Sequence, residues 1–184
     1  RVAHRNLVKE LNFPRSSKET LIDRAQQLVK PDEQVLDLFQ IDTRYANQEI
    51  PLEIWSKDTP DSIWVDEWGT TRRFTGLYFD MIEHPLSPVE SLTDLKRFSW
   101  PDPHQNQSSY DLLQSQVEKL HQSEKAVIVN IIGSCFEFGW YLRGFEKFMM
   151  DLVLNPDLAC GILDIMLEFQ IGQFDELLSR MGNL

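Results

Sequence analysis

Residues 125–144, KAVIVNIIGSCFEFGWYLRG, decide how this chain is read. The apolar run 126–132 has the length of a strand and does not alternate, which predicts a strand buried on both faces and therefore a parallel one. It passes directly into Gly133, Ser134 and Cys135 and then into a helical start. In parallel α/β architectures ligands bind at that carboxyl end, where loops and helix amino termini converge. Glu137, between Phe136 and Phe138, is the sharpest candidate for chemistry. A carboxylate partly withdrawn from water has its pKa raised and can act as an acid or base, or accept hydrogen bonds from an NH-rich ligand. The competing reading is a first-turn glutamate favoured by the helix dipole. Tyr141 and Arg143 follow on the same segment; the arginine suits a substrate carboxylate, or else a plain structural ion pair.

Working outward, the amino-terminal third reads as helix, helix, strand. Ser16 and Glu19 form a capping box, and Leu21, Ile22, Ala25, Leu28 and Val29 at helical spacing predict an amphipathic helix over 16–30, stopped by Pro31. PDEQVLDLF predicts a short second helix with acids in its first turn. A strand over 41–46 follows, which places Asp42 and Arg44 near its carboxyl end, an address for a pocket floor. Their types suit a ligand with NH donors and carboxylates.

The middle, DSIWVDEWGTTRRFTGLYFDMIEHPL, alternates on both sides of GTTRR and predicts a hairpin excursion over about 55–82. Asp66 and Trp68 there fit either cross-strand pairing or a lid with aromatic walls. SPVE at 87–90 is a second capping box, predicting a helix through Leu92, Leu95 and Phe98. Further helices are predicted over 109–121, from 144 to Asn155-Pro156, and on to about Met181, with Asn155 as a cap.

The pattern predicts an α/β fold: one domain, 1–184, with the hairpin inserted and a mostly helical periphery. A closed (β/α)8 barrel typically takes about 250 residues, so any such TIM-type barrel would be incomplete.

Twenty-nine acidic against 18 basic residues, a net charge of −11, and no basic stripe exclude the usual electrostatics of nucleic-acid binding and of anionic membranes. No apolar run approaches the roughly 20 residues of a membrane span. Two cysteines are too few for a disulfide framework, so a cytoplasmic setting is expected. Cys135 reads as a small buried residue over a nucleophile, Cys160 as core, and His4, His84, His104 and His121 are isolated, so no metal site is drawn. The chain opens on arginine instead of methionine and reads as a possible fragment.

FQIDTR after a helix, DEWGTTRR leading to GLYFDMIEHPL, DLKRFSWPDP, and GSCFEFGWYLRGFEKFMMDLVLNPDLACGIL occur in an order that resembles the amino-terminal half of the uroporphyrinogen decarboxylase-like superfamily, over about residues 20–170. That superfamily includes the corrinoid-dependent methyltransferases. The resemblance implies an incomplete (β/α)8 barrel acting on a tetrapyrrole or on a corrinoid-bound methyl group, as a lyase or a methyltransferase. Methyl transfer is favoured, because the D-x-W-G and W-P-D-P segments look more like that branch and the decarboxylases' arginine-rich amino-terminal motif is not seen.

On this reading Glu137 and Asp42 are catalytic, Asp42 standing where an aspartate binds pyrrole NH groups. Arg44, Asp66, Trp68, Tyr141 and Arg143 bind substrate. No metal or cofactor is expected in this chain; zinc ligands and a corrinoid would belong to the full-length protein, leaving this piece inactive alone. Partners implied are a tetrapyrrole or a corrinoid protein, and a second copy or a complementing fragment. The alternative is a non-catalytic binding or assembly module of the same fold.

Overall fold

A parallel pair of strands brings residues 43–46 together with residues 126–129. The computed structural model describes residues 1–14, 19–47, 52–55, 57–130 and 133–182, with the side chains of 52 and 53 excepted. The elements run α1 (Val2–Glu10), β1 (Leu21–Asp23), β2 (Leu28–Val29), α2 (Glu33–Leu38), β3 (Thr43–Ala46), α3 (Leu52–Trp55), β4 (Ile63–Val65), β5 (Thr71–Phe74) and β6 (Phe79–Glu83). They continue with α4 (Leu92–Arg97), α5 (Gln107–His121), β7 (Ala126–Val129), α6 (Cys135–Arg143), α7 (Phe145–Leu154) and α8 (Pro156–Met181). The fold is mixed α/β. Its sheets are small: β1 with β2, β3 with β7, and β4-β5-β6, and none closes into a barrel among the described residues.

β3 and β7 pair in parallel with Thr43 opposite Ala126 and Ala46 opposite Val129, as the unbroken apolar run predicted. Burial differs from expectation. Ala126 is exposed and Val127 to Val129 are only half-buried, because among the described residues β7 pairs with β3 alone and neither face is fully covered.

Three local expectations are corrected. The helix over 16–30 is an antiparallel ribbon over its described part, β1 with β2. Asp23 accepts the Gln26 amide at 2.8 Å, Gln27 adopts φ +56°, and the Gln27 amide group donates to Arg24 O at 2.9 Å. That Asx-type turn outcompetes the helical spacing of the apolar residues; Ser16 lies outside the described residues. The SPVE box does not start a helix. α4 begins four positions later, where the Ser91 hydroxyl accepts the Asp94 amide at 3.2 Å. Finally, Asn155 precedes α8 without capping it and donates to Asp151 instead.

The chain divides into two compact units. Unit 1 comprises Arg1–Ser62, Phe74–Asp80 and Leu112–Asn130; unit 2 comprises Ile63–Arg73, Met81–Asp111 and Ile131–Leu184. Unit 2 holds one contiguous core, with Leu86, Leu95, Leu142, Phe148, Ile162 and Met166 almost fully buried. Among the described residues no helix is long and apolar enough to cross a membrane.

Candidate functional site

The D-x-W-G-T segment explains itself locally. Asp66 Oδ1 accepts the amides of Trp68 at 3.1 Å and Thr70 at 2.9 Å, while Oδ2 accepts Arg72 Nε at 2.9 Å. Gly69 has φ +84°, a conformation that costs a side-chain-bearing residue, and it closes the turn by donating to Asp66 O. The turn therefore ends at Thr70, and Thr71, Arg72 and Arg73, expected at its tip, lie in strand β5, which pairs Trp64 with Arg72 and Val65 with Thr71. Trp68 is carried inward and packs at 4.8 Å from the Phe138 ring and 4.6 Å from Phe169.

From Arg72 a polar chain continues to α6. The buried guanidinium lies 5.5 Å from the Tyr141 ring centroid, within cation–π range, and the Tyr141 hydroxyl donates to Glu137 Oε1. Glu137 sits in the first turn of α6, its amide donating to the Ser134 N-cap hydroxyl at 3.2 Å. Its neighbours in sequence diverge around the helix: Phe136 is exposed and Phe138 packs on Trp68, so the two rings do not sandwich the carboxylate. The loop before α6 is pinned by Gln170, whose side chain donates to Gly133 O at 2.9 Å and accepts Cys135 Sγ at 3.1 Å.

Unit 2 thus brings together Asp66, Trp68, Tyr141 and Glu137, and adds Arg72. Arg72 was visible in DEWGTTRR but is marked as central only by its stacking on Tyr141, which no spacing along the chain encodes.

Arg143 faces inward instead. It donates from Nε to Asp151 at 2.7 Å and from Nη1 to the carbonyls of Leu86, Ser87 and Val89 at 2.6, 3.1 and 2.5 Å. These contacts also explain the SPVE segment, whose carbonyls serve the arginine and not a helix. Burial pushes the Asp151 carboxyl up, but hydrogen bonds from Arg143 and Asn155 outweigh it and hold the group below its usual value.

Asp42 and Arg44 belong to unit 1. β3 starts at Thr43, so Asp42 lies at the amino end of the strand, not the carboxyl end; its side chain is 89% exposed and meets Lys125 at 3.3 Å. Arg44 is buried and bound to Glu33, Asp37 and the carbonyls of Ile41 and Thr43.

Cys160 is exposed, contrary to its expected core position, since it lies off the buried stripe of Leu158, Ala159 and Ile162 on α8. Among the described residues no group of three or more His, Cys, Asp or Glu side chains could hold a metal ion.

Beside the polar chain, unit 2 opens a groove of about 220 Å³ walled by Trp68, Trp100, Phe169, Pro101 and Pro103, with Glu168 on its lining. Comparison with protein-family models, curated proteins and solved structures finds no match to this chain.

Proposed function

We propose that this chain is the amino-terminal part of a uroporphyrinogen decarboxylase-like barrel enzyme that acts on a tetrapyrrole or a corrinoid-bound methyl group, with methyl transfer favoured, in the cytoplasm. The observation that carries the reading is the in-register parallel pairing of β3 with β7 across a crossover that contains helices. Such pairing belongs to β-α-β architectures, and two half-covered strands support reading them as part of a larger parallel sheet, as an incomplete (β/α)8 barrel would supply. Glu137, its carboxylate already oriented by Tyr141, is the group best placed to accept hydrogen bonds from a substrate, and Tyr141 is itself held against Arg72, whose charge is paired with Asp66. Asp42 drops from the proposed site because it sits at the amino end of its strand. No zinc site can be drawn from the described residues, so no step of the proposal runs through a metal held by them.

Absorbance titration of this chain with uroporphyrin and, separately, with methylcobalamin tests the reading. One of the two should bind saturably, and Glu137→Gln should weaken that binding by about tenfold, the value of one charge-assisted hydrogen bond, whereas Asp42→Asn should leave it unchanged. Absence of saturable binding by both ligands, or identical curves for wild type and Glu137→Gln, would overturn it.

A second reading, an assembly module, rests on a separate observation. Leu167, Ile171, Phe174 and Leu178 form an exposed apolar row at 4-3-4 spacing on α8. Light scattering after size exclusion decides: a monomer at high concentration removes this alternative.

A further inference from the structure

We infer that the groove of unit 2 walled by Trp68, Trp100 and Phe169, with Glu168 on its lining, binds a small methylated ammonium cation. The inference goes beyond the barrel reading and does not depend on it.

The first argument is chemical. Aromatic walls attract a cation through the ring quadrupole while offering apolar contact to methyl groups, and the effect grows when water is excluded. A single carboxylate on such a wall supplies the compensating charge. Glu168 makes no hydrogen bond or ion pair among the described residues, so its charge is free for a ligand. The charge pattern points the same way: α8 carries Asp157, Asp164, Glu168, Asp175 and Glu176 before its first cation, Arg180. An anionic ligand would be repelled from this helix.

The second argument is that the walls are built and held. Trp100 Nε1 donates to Leu95 O at 3.1 Å, and its ring meets Phe98 edge-on at 4.8 Å. The Tyr110 hydroxyl donates to Pro103 O at 2.8 Å. Gly172 allows Pro103 to lie directly on α8, where a Cβ would come within 2.6 Å of Pro103 Cγ. Trp68 is clasped by Phe138 and Phe169. A cleft whose rings are fixed in advance loses little entropy on binding. Its volume, about 220 Å³, lies below the roughly 300–1,000 Å³ of sites for drug-sized ligands, which suits a trimethylammonium group and little more.

The test uses the chain as it is, labelled with ¹⁵N and followed through its five tryptophan indole N–H signals. Choline is the probe, with sodium chloride as the ionic-strength control and 3,3-dimethylbutan-1-ol as the uncharged analogue of the same shape. Choline should shift the Trp68 and Trp100 signals saturably and leave Trp55 in place. The neutral analogue should bind at least about tenfold more weakly, and Glu168→Gln, a change at an exposed side chain without partners, should reduce choline affinity by about the same factor. Trp100→Leu should abolish the effect, with its melting curve recorded to show that the fold survives. Three results would each overturn the inference: no saturable shift, equal affinity for the neutral analogue, or unchanged affinity in Glu168→Gln. Porphyrin and methylcobalamin titrations read a different ligand class, so the two readings fail separately.

Discussion

Two of the three buried arginines among the described residues, one from each unit, show how the units differ. Arg143 in unit 2 and Arg44 in unit 1 each bind carboxylate and several backbone carbonyls, but the Asp151 side chain opposite Arg143 is 6% exposed, while Glu33 and Asp37 opposite Arg44 are 60% and 68% exposed. Arg143 joins α6, α7 and the 86–89 segment around one core; Arg44 ties a short helix to an incompletely covered strand. The same contrast runs through the rest. Unit 2 has a contiguous apolar cluster, whereas unit 1 leaves β7 half-exposed; buried side-chain atoms without a hydrogen-bond partner occur in both, Gln27 Oε1 and Trp55 Nε1 in unit 1 and Thr70 Oγ1 in unit 2. Unit 2 packs its helices around one apolar cluster; the β3–β7 pair of unit 1 is only partly covered among the described residues.

The largest expected effect tests this contrast directly. Arg143→Met leaves Asp151 charged and three carbonyls unmet in a dry site, so it should cost about 3–5 kcal/mol in urea unfolding followed by tryptophan fluorescence. Four of the five tryptophans belong to unit 2, which makes that signal its reporter. A loss under about 1 kcal/mol would erase the distinction. Asp66→Ala comes next: it strands the amides of Trp68 and Thr70 and the Arg72 guanidinium, with an expected cost of about 2–3 kcal/mol and a changed Trp68 emission. Arg44→Met should cost only about 1–2 kcal/mol, measured by circular dichroism, because water takes over its exposed carboxylates. Gly69→Ala, at φ +84° with Pro85 Cβ 3.4 Å from the added methyl group, should lower stability by about 1 kcal/mol.

Acid sharpens the comparison further. The folded Asp151 carboxyl is held below its unfolded value, so its contribution is present above the ordinary aspartate pKa of about 3.9 and is lost as pH falls through the lower folded value. The stability gap between wild type and Asp151→Asn should therefore be full at pH 6 and shrink below about pH 4. A gap independent of pH would mean that Arg143 does not stabilise the ionised form.

Much of the secondary structure was legible along the chain, and the failures share one cause. β7 was readable because a run such as Ala126 to Val129 has no polar interruption, and α8 because Pro156 marks its start. The 21–29 ribbon is not legible because Leu21, Leu28 and Val29 fit the helical spacing, and the deciding contact is one Asp23 side chain. SPVE carries every mark of a capping box, yet a guanidinium 54 to 56 residues away takes the carbonyls of Ser87 and Val89. Within the candidate site, Glu137 and Asp66 stood out as carboxylates in unusual company. Trp68 stands out in DEWGTTRR, but nothing in the order of residues says that Trp100 and Phe169 share its groove.

The sequence by itself determined the α/β class, the parallel character of β7, the acidic surface and the residue types available for a site, because these follow from local composition and period. The tertiary structure decided which of those residues are free to act. Arg143 and Arg44 are consumed by burial, Asp42 falls at the wrong end of its strand, and Glu137, Tyr141 and Arg72 meet, since partners far apart in sequence are chosen by packing and desolvation and not by spacing.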